Sequence, residues 1–300
     1  MRIGVFGGDS ANGPIDAIVQ LARRAADDGF PSFWLPQIFG VDALGALGLV
    51  GREVEGIELG TAVIPTYPRH PVVLAQQALT AQAACGGRLA LGIGLSHQLV
   101  IEGMYGYSFT RPVRHLREYL EVLAPLLRGE PASYAGETVT GHATLEVQGA
   151  TPVPILVAAL GPKMLELAGR VGDGTVTWMT GPATLASHTV PTIRAAASAA
   201  DRPTPRVVVG LPVCVTSDVD AARARAARNF QIYGSLPSYR AMLDREGANG
   251  PADVAVVGDE DGVRTQLQHL AGVGATDFLA NIFGSGDERT RTWALLRTLT

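Results

Sequence analysis

The chain has 300 residues, of which 47% are hydrophobic and 17% are charged, and its formal net charge is −4 at pH 7. This composition permits one large buried core, and the acidic balance disfavours a surface for nucleic acid. The two cysteines, Cys85 and Cys214, lack the CxxC spacing of zinc or redox sites, which predicts free thiols in a reducing cytoplasm. Residues 1–6 predict a strand and not a signal peptide, and no stretch reaches the roughly 20 apolar residues of a membrane span. We therefore expect a cytoplasmic protein without a membrane or nucleic-acid partner.

Short β-branched runs alternate along the chain with longer stretches of helical period, which predicts βα units and a parallel sheet. The predicted strands are residues 2–7, 32–36, 57–65, 88–94, 154–160, 174–179, 206–216 and 276–283. The predicted helices are residues 14–28, 41–50, 71–84, 112–127, 162–171 and 182–200, one that starts at 218, and 259–273 as the last long helix. The expected fold is α/β, a single (β/α)8 TIM barrel over residues 1–300.

Three segments between these elements are expected to stand apart from the repeating pattern. Residues 104–109 belong to a long connection after the fourth strand. Residues 130–153 hold short alternating runs between glycines, which predict a small hairpin-like insertion between strands four and five. Residues 234–250 are rich in Gly, Ser, Pro and Asn, so we expect a break there that carries a lid or dimer contacts.

In this fold the active site lies at the C-terminal ends of the strands, so the residues that follow each strand are the candidates. Gly161, Pro162 and Lys163 stand where the fifth strand turns into a helix, and free N–H groups and the helix dipole there suit a phosphate. Lys163 is the only lysine among the 24 basic residues, a usage typical of a GC-rich genome such as that of an actinobacterium. The alternative is a plain βα turn with an exposed lysine.

A second candidate is His97, which follows the glycine-flanked fourth strand ending at Gly94. Glycines let a ligand approach the backbone closely, and a histidine at this rim can hold phosphate or move a proton. The alternative is a histidine with a structural hydrogen bond. The six histidines show no HxH or HExxH spacing, so no metal site is predicted. The nucleophile-elbow, P-loop and complete Rossmann patterns are also missing.

Five runs resemble the luciferase-like monooxygenase superfamily, and in particular its F420-dependent oxidoreductase branch. They are LGTAVI at 59–64, YPRHPVVLAQQA at 67–78, GGRLALGIG at 86–94, PILVAALGPKM at 154–164 and GDG at 172–174. They follow the order of the family pattern along nearly the whole chain. The resemblance implies an oxidoreductase on a TIM barrel, commonly homodimeric, with coenzyme F420 as cofactor and FMN as the alternative.

The resemblance also implies which residues hold the cofactor. In the F420 branch a non-prolyl cis peptide in the third strand supports the deazaflavin ring, and the matching bond is Ala62–Val63. The rim after strand four and the turn after strand five match positions that hold the ribityl and phosphate part. The expected cofactor-binding residues are Gln37, Ala62, Val63, Gly94, His97, Ala158, Ala159, Gly161, Pro162 and Lys163.

The chain departs from this pattern after strand two, where alcohol- and sugar-oxidising branches carry an acidic residue and a histidine. Gln37 stands there instead and cannot titrate, which favours the reductive direction, with hydride delivered to a polarised C=C or C=N bond. The expected catalytic residues are Tyr67 and His97, with water as a further proton source. An apolar rim favours an uncharged small-molecule substrate, although the same side chains also suit plain packing: Phe6, Phe39, Met104, Tyr105, Tyr107, Trp178 and Met179.

Two other functions stay open at this stage. One is an FMN-dependent luciferase-like monooxygenase that uses dioxygen on the same fold. The other is a non-catalytic F420- or flavin-binding protein. A role in secondary metabolism or xenobiotic reduction is the expected setting for the reductase.

Overall fold

The computed structural model describes residues 1–300, apart from the side chain of Asp9. Twelve strands are present: β1 Arg2–Phe6, β2 Ser32–Leu35, β3 Glu58–Thr61, β4 Ile64–Pro65, β5 Leu89–Gly94, β6 Ala132–Ala135, β7 Thr140–Ala143, β8 Ile155–Val157, β9 Gly174–Trp178, β10 Arg206–Val215, β11 Val256–Gly258 and β12 Asp277–Ile282. Eight parallel strands close a barrel in the order β1, β2, β3, β5, β8, β9, β10, β12, and β12 pairs back onto β1. The predicted TIM barrel is confirmed.

Helices surround the barrel: α1 Ile15–Asp27, α2 Ala43–Glu53, α3 Pro71–Ala84, α4 Gln98–Gly103, α5 Pro112–Leu127, α6 Pro162–Val171, α7 Pro182–Thr184, α8 Val190–Ser198, α9 Val219–Asn229, α10 Pro237–Glu246, α11 Glu260–Gly272 and α12 Gly286–Arg297. A π turn, Leu185–Thr189, joins α7 to α8, and a short 3-10 helix, Gln231–Gly234, precedes α10. No helix of the described residues is both long and apolar enough to cross a membrane.

Three helices that begin with proline agree with the prediction at both ends, because the fixed φ of proline suits the first helical turn. These helices are α3, α5 and α6. Other predictions were wrong. The helix over 259–273 is not the last, because α12 follows β12. The break expected at 234–250 contains α10, and α4 starts the connection after β5.

The predicted insertion is a two-stranded antiparallel hairpin formed by β6 and β7. Glu118 of α5 fixes it, because its carboxylate accepts hydrogen bonds from the backbone N–H and hydroxyl of Thr138 and from the N–H of Val139, at 2.7, 2.7 and 3.1 Å. Burial opposes ionisation, but these bonds prevail and lower the pKa of Glu118 to about 2. The hairpin is therefore held against α5 of the barrel.

The barrel interior is filled by side chains from alternate strand positions. The ring of Trp34 lies over Gly60, where an added Cβ would be 2.1 Å from a ring carbon. Leu156, Val208 and Leu279 pack around it. Trp34 therefore closes the middle of the barrel, and the space above it belongs to the C-terminal mouth.

An ion cluster closes the N-terminal end beneath Trp34. The Arg206 guanidinium donates to the carboxylates of Asp277 and Glu58, at 2.7 and 2.9 Å, and its carbon lies 5.8 Å from the Trp34 ring centroid. Arg2 pairs with the same two acids. Because the Asp277 side chain is only 2% exposed, this end of the barrel depends on the pairing of its charges.

Candidate functional site

Small side chains cover one half of the barrel mouth, on the arc from β3 through β5 to β8. We call this arc the small-residue half: Ala62, Val63, Gly92, Gly94 and Ala158. An added Cβ on Gly94 would lie 2.8 Å from a Val63 methyl and 3.1 Å from the Ala158 methyl. The surface is therefore shallow and apolar, and it suits the face of a planar ring.

The peptide bond between Ala62 and Val63 is cis, as predicted. From Gly60 to Ile64 the chain advances four residues while its β5 partners advance three, from Ala90 to Ile93. The extra residue forms a bulge. Both Ala62 and Val63 consequently pack against the interior cluster.

Thr61 holds the two strands together at this bulge. Its hydroxyl accepts from the N–H of Gly92 and donates to the carbonyl of the same residue, both at 2.8 Å. The side chain thus replaces the backbone ladder that stops at β3 and resumes at β4. The buried backbone groups remain satisfied, so the bulge is fixed in place.

Aromatic rings cover the other part of the mouth. They form a continuous series, the aromatic arc, with centroid distances of 5.6, 5.7, 5.2 and 5.6 Å between successive members. In order, the members are Phe6 at the end of β1, Trp178 at the end of β9, Tyr233, Tyr239 at the start of α10, and His97 after β5. The segment 230–239 therefore passes over the mouth from the β9 side to the β5 side.

Two loops next to this arc have left-handed backbones at residues other than glycine. Ser96 follows β5 with φ 61°, and Met179 follows β9 with φ 54°. Such conformations are uncommon for these residues and are concentrated at functional sites. Both lie at the mouth, which supports the location of the site at this end of the barrel.

The start of α6 has the properties expected of a phosphate site. Gly161 is the N-cap residue, Pro162 follows it, and no side chain caps the helix. The N–H groups of Gly161 and Lys163 make no hydrogen bond with a described residue. Lys163 is exposed and has no ion pair within the described chain. Free N–H groups and one positive charge are thus available together.

His188 was not among the predicted site residues, although it fixes the turn before α6. It lies in the π turn, and its Nε2–H donates to the carbonyl of Leu160 at 2.8 Å. The contact spans 28 residues, so nothing local in the sequence indicates it. The π geometry itself is a signal often found at functional sites, but it becomes visible only in the structure.

His97 lies in the aromatic arc, half-buried, with its ring 5.6 Å from that of Tyr239. Burial lowers the pKa of His97, because an imidazolium loses hydration there. The imidazole is consequently neutral at pH 7. A neutral imidazole can donate or accept a hydrogen bond at the mouth.

Tyr67, the other predicted catalytic residue, packs against α5. Its ring stacks on His115 of α5 at 3.9 Å between centroids and on Phe109 at 5.2 Å. Its hydroxyl is buried without a hydrogen-bond partner among the described residues. Burial, and then the charge of Glu102, raises the pKa of Tyr67 to about 12. Proton donation by Tyr67 therefore stays a prediction, and its unpartnered hydroxyl remains open to a ligand that accepts from it.

Gln37 has a structural contact in addition to its predicted cofactor role. Its side-chain oxygen accepts a hydrogen bond from the N–H of Ala43 at 2.8 Å, at the start of α2. The residue thereby fixes the loop after β2.

Ala158 and Ala159 lie directly after β8, where the N–H of Ala158 donates to the Ile93 carbonyl at 2.8 Å.

Comparisons with known proteins agree with this architecture. Residues 1–290 match the family model described as luciferase-like monooxygenase. The 5,10-methylenetetrahydromethanopterin reductase of Methanolobus tindarius is 30% identical over 82% of this chain and 75% of that protein. A Mycobacterium tuberculosis protein, provisionally named a coenzyme F420-dependent oxidoreductase, is 29% identical over 85% of this chain and 76% of that protein. The chain belongs to the luciferase-like monooxygenase family of enzymes.

Solved structures share the fold over nearly the whole chain. The coenzyme F420-dependent tetrahydromethanopterin reductase of Methanopyrus kandleri superposes with a TM-score of 0.81 at 23% identity, over 99% of this chain and 96% of that one. The oxygenating constituent of 3,6-diketocamphane monooxygenase from Pseudomonas putida, in complex with FMN, gives a TM-score of 0.77 at 16% identity, over 100% and 96%. At these identities the likeness establishes the fold alone.

Proposed function

We propose that the protein is a reductase that uses reduced coenzyme F420, F420H2, and reduces a polarised C=C or C=N bond of a small organic substrate. The observation that carries the proposal is the bulge between β3 and β4, where Ala62 and Val63 pack against the interior cluster and form the floor of the shallow small-residue half. A planar deazaflavin ring fits this surface. The names of the two curated relatives support F420 use and the reductive direction.

The residues present fit the cofactor in two places. Ala62 and Val63 would lie behind the ring, and Gly94 and Ala158 would leave room for the ribityl chain along β5 and β8. Gly161 and Lys163 would hold the phosphate through N–H groups and one charge. When bound, the cofactor supplies a hydride, and the protein supplies placement and exclusion of water.

The described side chains favour reduction over alcohol oxidation. Oxidation of a hydroxyl needs a base near the reacting atoms. The aromatic arc contains no carboxylate, and the Gln37 side chain cannot titrate and is engaged at α2. The neutral His97, in contrast, can donate a hydrogen bond to a substrate whose negative charge grows during hydride addition.

The test is an anaerobic assay with F420H2 and two acceptors, cyclohexenone for C=C and dihydroisoquinoline for C=N. We expect the visible absorbance of oxidised F420 to appear only when an acceptor is present. A parallel reaction contains FMNH2 and dioxygen. Oxygen-dependent product with FMN and no binding of F420 would establish the monooxygenase instead. Tight F420 binding without turnover of any acceptor would favour a non-catalytic binding protein.

Two further expectations accompany the proposal. The protein is expected to be a cytoplasmic homodimer, which light scattering after size exclusion tests directly. Its substrate is expected to come from secondary metabolism or from xenobiotics, which the neighbouring genes would indicate.

A further inference from the structure

The aromatic arc adjoins the surface assigned to the cofactor, since it runs from Phe6 and Trp178 over the mouth to His97 after β5. Phe6 and Trp178 face the interior at the ends of β1 and β9, and Trp178 lies over Gly210, where an added Cβ would be 3.0 Å from its ring. A planar cofactor on the small-residue half leaves this aromatic part of the mouth to the second reactant. The mouth thus divides into a cofactor side and a substrate side.

The substrate side carries no charge of its own. Arg240 adjoins Tyr239 but is fully engaged, with Asp244 at 2.8 Å and with the carbonyls of Asn249 and Ala248 at 2.9 and 2.6 Å. Glu246 of the same helix accepts from the N–H groups at the start of α7, at 2.9 and 2.7 Å. A charged substrate would consequently lose its hydration without a partner here.

One polar hydrogen on the arc is available to an oxygen atom. The Trp178 indole N–H is buried and approaches the Tyr233 hydroxyl. Burial raises the pKa of Tyr233, and this contact has the smaller, opposite effect. The Tyr239 hydroxyl makes no hydrogen bond with a described residue, and burial raises its pKa, so it is a neutral donor. A buried donor without a partner is unfavourable unless a ligand accepts from it.

We propose that Phe6, Trp178, Tyr233 and Tyr239 form the substrate side of the site, and that they bind a planar, uncharged, aromatic conjugated carbonyl compound. The carbonyl oxygen accepts the hydrogen bond of Tyr239. This inference rests on the proposed reductase function and adds the substrate class and a catalytic residue. Stacked and edge-on rings favour aromatic substrates over aliphatic ones of equal size.

The reaction balances for such an enone. The β-carbon receives a hydride, the electron pair of the C=C bond moves to the carbonyl oxygen, and an enolate forms. Tyr239 stabilises that oxygen through its O–H group. A proton from water then adds to the α-carbon and gives the saturated ketone, while the cofactor is oxidised by two electrons and its remaining ring proton passes to solvent.

The test uses benzylideneacetone, its para-carboxylate and cyclohexenone as probes. With F420H2, we expect kcat/KM for benzylideneacetone to exceed that for the carboxylate by ~100-fold, because the carboxylate would be buried without a partner. We expect Tyr239→Phe to lower kcat by ~100-fold with little change in KM. Tyr134→Phe, in the hairpin, is the matched control and should retain wild-type rates.

A second measurement is independent of the cofactor. Benzylideneacetone added to the protein alone should quench tryptophan fluorescence saturably in the wild type and in Trp293→Phe, and the saturable part should be lost in Trp178→Phe. Saturable quenching through Trp178 without F420 binding would overturn the assignment of F420 as the cofactor. It would still support the proposed substrate side. F420H2 turnover with cyclohexenone, but without quenching by benzylideneacetone, would overturn this inference alone. Equal rates for the neutral and carboxylate probes, or a Tyr239→Phe variant as fast as wild type, would also overturn it.

Discussion

At the N-terminal end of the barrel charged side chains pair with one another, whereas at the C-terminal mouth small residues face aromatic rings. Arg206, Arg2, Glu58 and Asp277 neutralise each other beneath Trp34. The aromatic arc has no ion pair, and its members contact one another through their rings. In a TIM barrel the first end carries stability and the second carries function. The comparison shows that charges are paired at one end and are replaced by rings and small side chains at the other, whereas buried polar atoms without a partner occur in both regions, at Ser32 and Trp34 as well as at Tyr67.

The largest expected effect comes from a substitution that breaks the ion cluster at the N-terminal end of the barrel. Arg206→Ala leaves the buried Asp277 without its main partner, and we expect the free energy of unfolding to fall by about 3–5 kcal/mol. Chemical denaturation measures it. Arg264→Ala is the control, because Arg264 pairs with a 94% exposed Asp261 and should change stability by less than about 0.5 kcal/mol. A loss below about 1 kcal/mol in Arg206→Ala would contradict the role of the cluster.

A pair of glycines compares the packed interior with the open mouth. Gly60→Ala places a Cβ against the Trp34 ring, so we expect overpacking to destabilise the fold by about 1–3 kcal/mol. Gly161 has no atom near its virtual Cβ and φ −77°. Gly161→Ala should therefore leave stability within about 0.5 kcal/mol of wild type. Equal losses in the two variants would show that the turn before α6 is packed as tightly as the interior.

Acidification should lower the stability of the protein through His115, whose imidazole is buried beside the mouth. Burial, opposed by the charge of Glu118, lowers the pKa of His115 from 6.5 to about 4. The unfolded chain therefore takes up a proton near pH 6.5 and the folded protein only near pH 4. Between these values acid favours unfolding, by about 2 kcal/mol at pH 5 relative to pH 7.

Denaturation of wild type and His115→Gln at these two values of pH isolates that contribution. The variant should lose less stability on acidification than wild type. Glu118, with its pKa near 2, begins to lose its own stabilising charge only below about pH 4.5, where the unfolded carboxyl protonates, so it leaves this interval unaffected. An identical pH dependence in both proteins would mean that the pKa of His115 is the same in the folded and unfolded states, which would contradict the effect of burial.

Local signals explain how much of the fold could be predicted. Strand composition and prolines in first helical turns located the barrel and gave α3, α5 and α6 their bounds. The missed helices have weaker signals, although α10 also begins with a proline, Pro237. Only four of the twelve residues of α12 are buried, and α10 lies in a segment rich in turn-forming residues, so periodicity is weak in both.

The residues of the site also fall into two groups, those that the sequence indicates and those that only the structure reveals. The small-residue half and the start of α6 could be predicted, because each lies in one continuous run that resembles the family. Tyr233, Tyr239 and His188 could not, since their contacts join segments far apart in the chain. The stacking of Tyr67 on His115 likewise depends on the position of α5 in space, which the sequence does not indicate.

The measurement that tests the central claim most directly is equilibrium binding of F420 and of FMN to the same protein, followed by fluorescence. We predict saturable F420 binding that Lys163→Ala weakens by about tenfold at low salt and less at high salt, since the contact is ionic. Arg170→Ala, on the exposed far turn of the same helix, should bind as wild type does. Tight FMN binding without F420 binding, or F420 binding unaffected by Lys163→Ala at every salt concentration, would contradict the account.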